Sequence, residues 1–129
     1  MRFINRKFHA VMDYMSGVLL IASPWLFNFS EINDAKWVAI IVGIVILGMS
    51  MITDYEGGVM KVISMQTHLI MDVIGGIFLA TSPWIFGFSD QVYLPHLILG
   101  ILEITAGVFT EQQSEHARSG DLDNLRHAH

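Results

Sequence analysis

The sequence predicts an all-α fold: a four-span transmembrane helix bundle built from two parallel tandem two-helix repeats. Three observations predict it. The first is composition: the 129 residues are 53% hydrophobic and 15% charged, against about 25% charged in an ordinary soluble domain. The second is four apolar stretches long enough for a bilayer core about 30 Å thick, which takes roughly 20 helical residues. The third is an internal duplication. Composition also excludes several classes. Seven Lys+Arg against twelve Asp+Glu argue against a nucleic-acid partner. The absence of cysteine removes disulfides, thiolate metal sites and a cysteine nucleophile.

The elements follow in chain order. Residues 1–7 form a short basic segment ahead of the first repeat, which covers residues 8–54 with spans over Phe8–Phe29 and Trp37–Thr53. The first span imitates a secretory signal, with Ala22-Ser23 resembling a cleavage site. A proline follows directly and the same block recurs inside the chain, so it is read as a true span. A loop and helix start over residues 55–66 lead to the second repeat at 67–110, with spans over Val62–Ser89 and Val92–Thr110. Residues 111–129 form a polar tail in which His116, His127 and His129 are read as solvated. The connections, including a polar turn over residues 30–36, are short enough to require antiparallel neighbours.

Arg2, Arg6, Lys7, Lys61, Arg118 and Arg126 fall on one side of a four-span chain and Lys36 alone on the other. The excess of positive charge inside the cell then predicts a multi-pass protein of the cytoplasmic membrane with both termini cytoplasmic. Trp25, Trp37, Trp84 and Tyr93 fall at the outer span ends, as an interfacial aromatic belt would.

The duplication is explicit. His9-Ala10-Val11-Met12-Asp13 matches His68-Leu69-Ile70-Met71-Asp72, and Ser23-Pro24-Trp25 matches Ser82-Pro83-Trp84 at the same offset. Farther on, Gly43, Ser50 and Thr53 pair with Gly100, Gly107 and Thr110. An even number of spans per unit makes the copies parallel, related by a pseudo-two-fold axis along the membrane normal. In these motifs the chain resembles the SPW-repeat membrane proteins, small bacterial proteins named for a Ser-Pro-Trp motif in the first of two membrane helices per repeat. The resemblance covers roughly residues 8–110 and implies a four-helix integral membrane domain. It implies no activity and transfers no catalytic residue.

Each Pro removes an amide donor and frees a carbonyl four residues earlier, on Leu20 or Leu79. The preceding Ser23 or Ser82 hydroxyl, or a neighbouring helix, can supply the missing partner. Ser-Pro therefore reads as a kink or exit near the interface, with Trp25 or Trp84 anchored there. At helical spacing His9, Met12, Asp13, Ser16 and Gly17 share a face, repeated by His68, Met71, Asp72, Gly75 and Gly76. Small residues mark these faces as buried between helices. His9/Asp13 and His68/Asp72 stand at i, i+4, within hydrogen-bonding reach.

Three readings of these pairs compete: a polar clasp fixing register between repeats, a divalent metal site with Met12 and Met71 as soft ligands, and non-covalent bis-histidine haem ligation. Glu103 falls mid-span on a stripe with His96, Gly100 and Gly107, so it should point inward, as a neutral hydrogen-bonded acid or as an ion-pathway residue. No phosphate loop, nucleophile elbow or Ser-His-Asp set is present. The expected function is therefore non-enzymatic: a small integral membrane protein acting as a structural or interaction component, in contact with the lipid bilayer and with a second copy or a membrane partner protein. The alternatives are proton- or cation-coupled transport through Glu103 and His96, and metal or haem binding by His9 and His68 with Asp13 and Asp72. No cofactor is predicted on the leading reading.

Overall fold

The computed structural model describes residues 3–54, 58–110 and 124–127. Its helices are α1 (Arg6–Leu26), α2 (Asn33–Ile52), α3 (Met65–Ile85) and α4 (Leu94–Phe109), followed by one helical turn at 124–127. Most of the expected 111–129 tail, with Arg118, His116 and His129, lies outside the described residues, as do Arg2 and residues 55–57.

Local chemistry sets the helix ends. The Asn5 side chain accepts from Lys7 N at 2.7 Å and starts α1, and Ser64 Oγ accepts from Thr67 N at 3.2 Å and starts α3. Each proline sits inside its helix, two residues before the end. Ser23 Oγ donates to Leu20 O and Ser82 Oγ to Leu79 O, both at 2.7 Å. Asn28 (φ 65°) and Gly87 (φ 75°) then turn the chain through the left-handed region. That turn lets Phe29 N donate to Pro24 O and Phe88 N to Pro83 O, both at 2.8 Å. This is the Schellman pattern, which satisfies the last carbonyls of a helix.

The chain folds as two antiparallel hairpins, α1–α2 and α3–α4, which carry the most extensive helix contacts. Glycines set the separation within each. A Cβ built on Gly43 would stand 2.8 Å from Gly17 O, and one on Gly100 only 2.6 Å from Gly76 O. Leu20, Leu79, Phe29, Phe88, Ala35, Ala39, Ile46 and Leu99 form the apolar core joining the hairpins. Two parallel bridges tie the other end of the bundle: Thr53 pairs with Ile63 ahead of α3, and Thr110 with Ile4 ahead of α1.

The bundle is all-α with two hairpins, but the expected four spans are corrected to two helices that qualify to cross a membrane, α2 and α3. They have 20 and 21 residues and mean hydropathies of 2.2 and 1.4. α4 fails on length: its 16 residues rise only about 24 Å at 1.5 Å each. α1 is long enough at 21 residues, but Arg6, Lys7, His9, Asp13 and Tyr14 occupy its first half and lower its hydropathy. The apolar runs in the sequence overshot the helices because they continued through the caps, as at Val62–Ile63 and Phe86–Ser89. Conversely, α2 begins at Asn33, inside the segment expected to be a polar turn.

Candidate metal centre

Helix periodicity places His9 and Asp13 on the buried face of α1 and His68 and Asp72 on that of α3. These faces meet between the hairpins, and the four residues are 0–6% exposed. His9 Nε2 lies 3.0 Å from Asp13 Oδ2 and 2.9 Å from Asp72 Oδ2. His68 Nε2 lies 2.8 Å from Asp13 Oδ2 and 3.3 Å from Asp72 Oδ2. The four atoms thus form a ring in which nitrogen and oxygen alternate, all within 4.8 Å of one another.

The outer ring nitrogens are fixed by threonines from the opposite hairpin. Thr53 Oγ1 donates its hydrogen to Met49 O, leaving lone pairs for His68 Nδ1–H, which donates to it at 2.6 Å. His9 Nδ1 and Thr110 Oγ1 make the matching contact at 2.7 Å. Ser50 Oγ, bonded to Ile46 O at 2.8 Å, also lies 3.2 Å from Asp13 Oδ2. A neutral His68 with its proton on Nδ1 therefore turns a bare Nε2 toward two carboxylate oxygens. Lone pairs at these distances repel, so the ring of donors requires either further protons or a cation at its centre. His9 Nε2 and Asp72 Oδ2 make no hydrogen bond among the described residues although they stand 2.9 Å apart. Within the same ring, His68 Nε2 and Asp13 Oδ2 stand at hydrogen-bond geometry, 2.8 Å apart.

The fit to a metal can be checked by length. An ion with four bonds of about 2.0–2.1 Å holds adjacent donors about 2.8–3.4 Å apart, between square and tetrahedral limits. The observed edges of 2.8–3.3 Å fall within this range. Haem does not fit, because the carboxylates of Asp13 and Asp72 fill the plane a porphyrin would occupy between the imidazoles. Met71 is 43% exposed and is no ligand to this site.

The second polar pair is not joined. His96 Nε2 donates to Ala35 O at 3.0 Å, and its ring packs against Phe29 and Phe88 with centroids 5.2 and 5.0 Å away. Glu103 points inward as expected, at 4% exposed. Its Oε2 has no hydrogen-bond partner among the described residues. No hydrogen bond or ion pair links it to His96 there. Trp25, Trp37 and Trp84 are all more than half exposed.

Sequence reasoning singled out the four cluster residues but missed Thr53, Thr110 and Ser50 as their partners. The alignment of Thr53 with Thr110 at the ends of the two hairpins was the available signal.

Fold and site together define a small all-α protein of two packed helical hairpins, with candidate membrane-crossing helices and a histidine–aspartate cluster buried at their junction. The chain belongs to the SPW repeat domain family, whose model matches residues 7–110. No curated protein and no solved structure matches it.

Proposed function

We propose that this protein binds one divalent transition-metal ion inside a membrane, at the junction of its two repeats, through His9, Asp13, His68 and Asp72. The observation that carries the reading is the closed ring of two Nε2 and two Oδ2 atoms at 2.8–3.3 Å. Two carboxylates balance a 2+ charge, and imidazole with carboxylate suits zinc and its neighbours among the first-row metals. Thr53 and Thr110 act as the outer partners that hold ligand histidines in one tautomer. Four protein ligands around one ion leave no open position, the arrangement of a structural or storage site rather than a catalytic one. The protein is accordingly read as non-enzymatic.

The membrane setting is supported by α2 and α3 and by the many exposed large apolar side chains, among them Phe8, Met15, Ile41 and Ile74, each more than half exposed. The Ile4–Thr110 and Thr53–Ile63 bridges lie at one end of the bundle, which supports both termini lying on one side with the α2–α3 connection. Arg2, Arg6, Lys7, Arg118 and Arg126 near the termini favour the cytoplasm for that side. A reporter fused after Arg118 should give a cytoplasmic signal.

The test of the metal reading is titration of the chelator-treated, detergent-purified chain with Zn²⁺, and with Co²⁺ read by its visible absorption. One saturating equivalent per chain is expected, with spectra of a four-coordinate nitrogen–oxygen site. Asp13→Asn and His68→Ala should each abolish that equivalent, whereas His127→Ala should not. Absence of saturable binding, or binding that survives both cluster substitutions, overturns the proposal.

A further inference from the structure

The ring lies near one end of the bundle. His9 and His68 are the fourth residues of α1 and α3, and their partners Thr110 and Thr53 cap the ends of α4 and α2. All four ligands are buried, so an ion reaches them only along a path through the protein. Toward the far end, the junction of the hairpins is packed with Leu20, Leu79, Phe29 and Phe88. Glu103 opens no route there: α4 buries Leu99 and Gly100 between it and His96, whose Nε2–H is committed to Ala35 O. Sideways, the crevice between α2 and α3 is walled by Ile41, Val45 and Ile74, and the exposed side chains of α1 and α4 include Val11, Met15 and Leu102. An ion moving in any of these directions would exchange its ligands for hydrocarbon, which is prohibitive for a bare charge.

The remaining direction is polar. Beyond the threonine hydroxyls stand Asn5, Arg6, Asp54 and Lys61, with the Arg6 guanidinium donating to Asp54 O and Lys61 Nζ 4.0 Å from the Asp54 carboxylate. Two straps close this end, and they are held unequally. Ahead of α3, Val62 N and Ile63 N both donate to Ile52 O, and Val59 N and Met60 N to Met51 O, at 2.8–2.9 Å. Ahead of α1, Ile4 N donates to Phe109 O at 2.8 Å, and the Phe3 ring packs on that of Phe109 with centroids 5.3 Å apart. Among the described residues, Phe3 N makes no bond matching that of Val62 N. We propose that the metal ion enters and leaves the ring only at this end, past Thr110 when the Phe3–Ile4 strap lifts, and so exchanges with one side of the membrane alone, the side that carries both termini. The proposal rests on the metal reading. It makes the protein a one-sided holder of its ion and not a conduit for it.

The test is the sidedness of exchange in sealed lipid vesicles holding the full chain, tagged at its C-terminal end and loaded with Zn²⁺. Preparations of unequal orientation are used, and the share of chains with the tag outside is read by external protease. EDTA added outside does not cross the bilayer. It should strip a share of the zinc equal to the share of tags cut, and detergent should release the rest. Release of all the zinc before detergent, of the complementary share, or of none overturns the proposal. In detergent solution, Phe3→Ala and Ile4→Pro should each speed zinc release and uptake alike, by about tenfold, the scale of one lost hydrogen bond or ring contact, and leave Kd unchanged. Unchanged rates in both variants, or faster release without faster uptake, also overturn it. Thermal melting confirms that each variant folds; if neither does, the vesicle measurement on the native chain decides. Absence of saturable zinc binding would remove the metal reading together with this one, whereas binding with exchange from both sides removes this one alone.

Discussion

At the scale of single residues, the two threonines make the most specific demand on the metal reading. Thr53 Oγ1, its own hydrogen on Met49 O, is placed to accept from His68 Nδ1–H, and metal binding requires that tautomer, with the Nε2 lone pair turned inward. Thr53→Val keeps the shape and removes the acceptor. It should weaken Zn²⁺ binding by about 10–100-fold, the range found for losing such an outer partner, while Thr53→Ser should restore most of the affinity. Unchanged affinity in Thr53→Val, measured by competition with a chelating dye, would show that the tautomer is set by something else. The aspartates make a second prediction. Asp13 and Asp72 both lie within 3.3 Å of His68 Nε2, so Asp13→Ala and Asp72→Ala should each lower the melting temperature, and their combined loss should fall short of the sum. Strict additivity would mean that the two carboxylates act independently. The four cluster residues were legible in the sequence because a repeated His-x-x-x-Asp is a short-range signal. Their threonine partners were not, because nothing local ties Thr110 to His9, which is 101 positions away.

At the scale of elements, the turn after each proline sets how the hairpin closes. Gly87 has φ 75° and Asn28 has φ 65°. Gly87→Ala should cost about 1 kcal/mol or more in unfolding stability, and Asn28→Gly should be neutral or stabilising by a similar amount. Denaturant melts of the two variants, expected to move in opposite directions, check the assignment. The close helix contacts are stricter. A Cβ on Gly100 would meet Ala80 N at 2.5 Å, and backbone cannot rotate away as a side chain can. The buried stripes Ala39-Gly43-Ile46-Ser50 and His96-Gly100-Glu103-Gly107 were readable in advance, since small residues at helical spacing mark faces that pack. The number of crossing helices was not. Hydrophobic runs do not announce their caps, and α4 is shorter than the run containing it. The aligned Asn28 and Gly87 were the overlooked signal for both helix ends.

For the whole molecule, an ion held by two ligands from α1 and two from α3 is bound by the folded state and not by either hairpin alone. Zn²⁺ should therefore raise the melting temperature. Free metal at a hundred times its dissociation constant adds about 2.7 kcal/mol. The gain should shrink as pH falls, because protons compete with the metal for the imidazole nitrogens. A zinc-induced shift that is constant from neutral to mildly acidic pH would speak against histidine ligation. The paired bridges carry a different consequence. Ile4 N donates to Phe109 O at 2.8 Å, just as Ile63 N donates to Ile52 O at 2.9 Å across the other hairpin boundary. The start of α1 thus stands to the end of α4 as the start of α3 stands to the end of α2, and chain order leaves little mark on the packing. A circular permutant that joins Thr110 to Ile4 through a copy of residues 54–62, and opens the original loop there, exchanges first hairpin for second. It should fold to the same bundle and take up the same single metal ion.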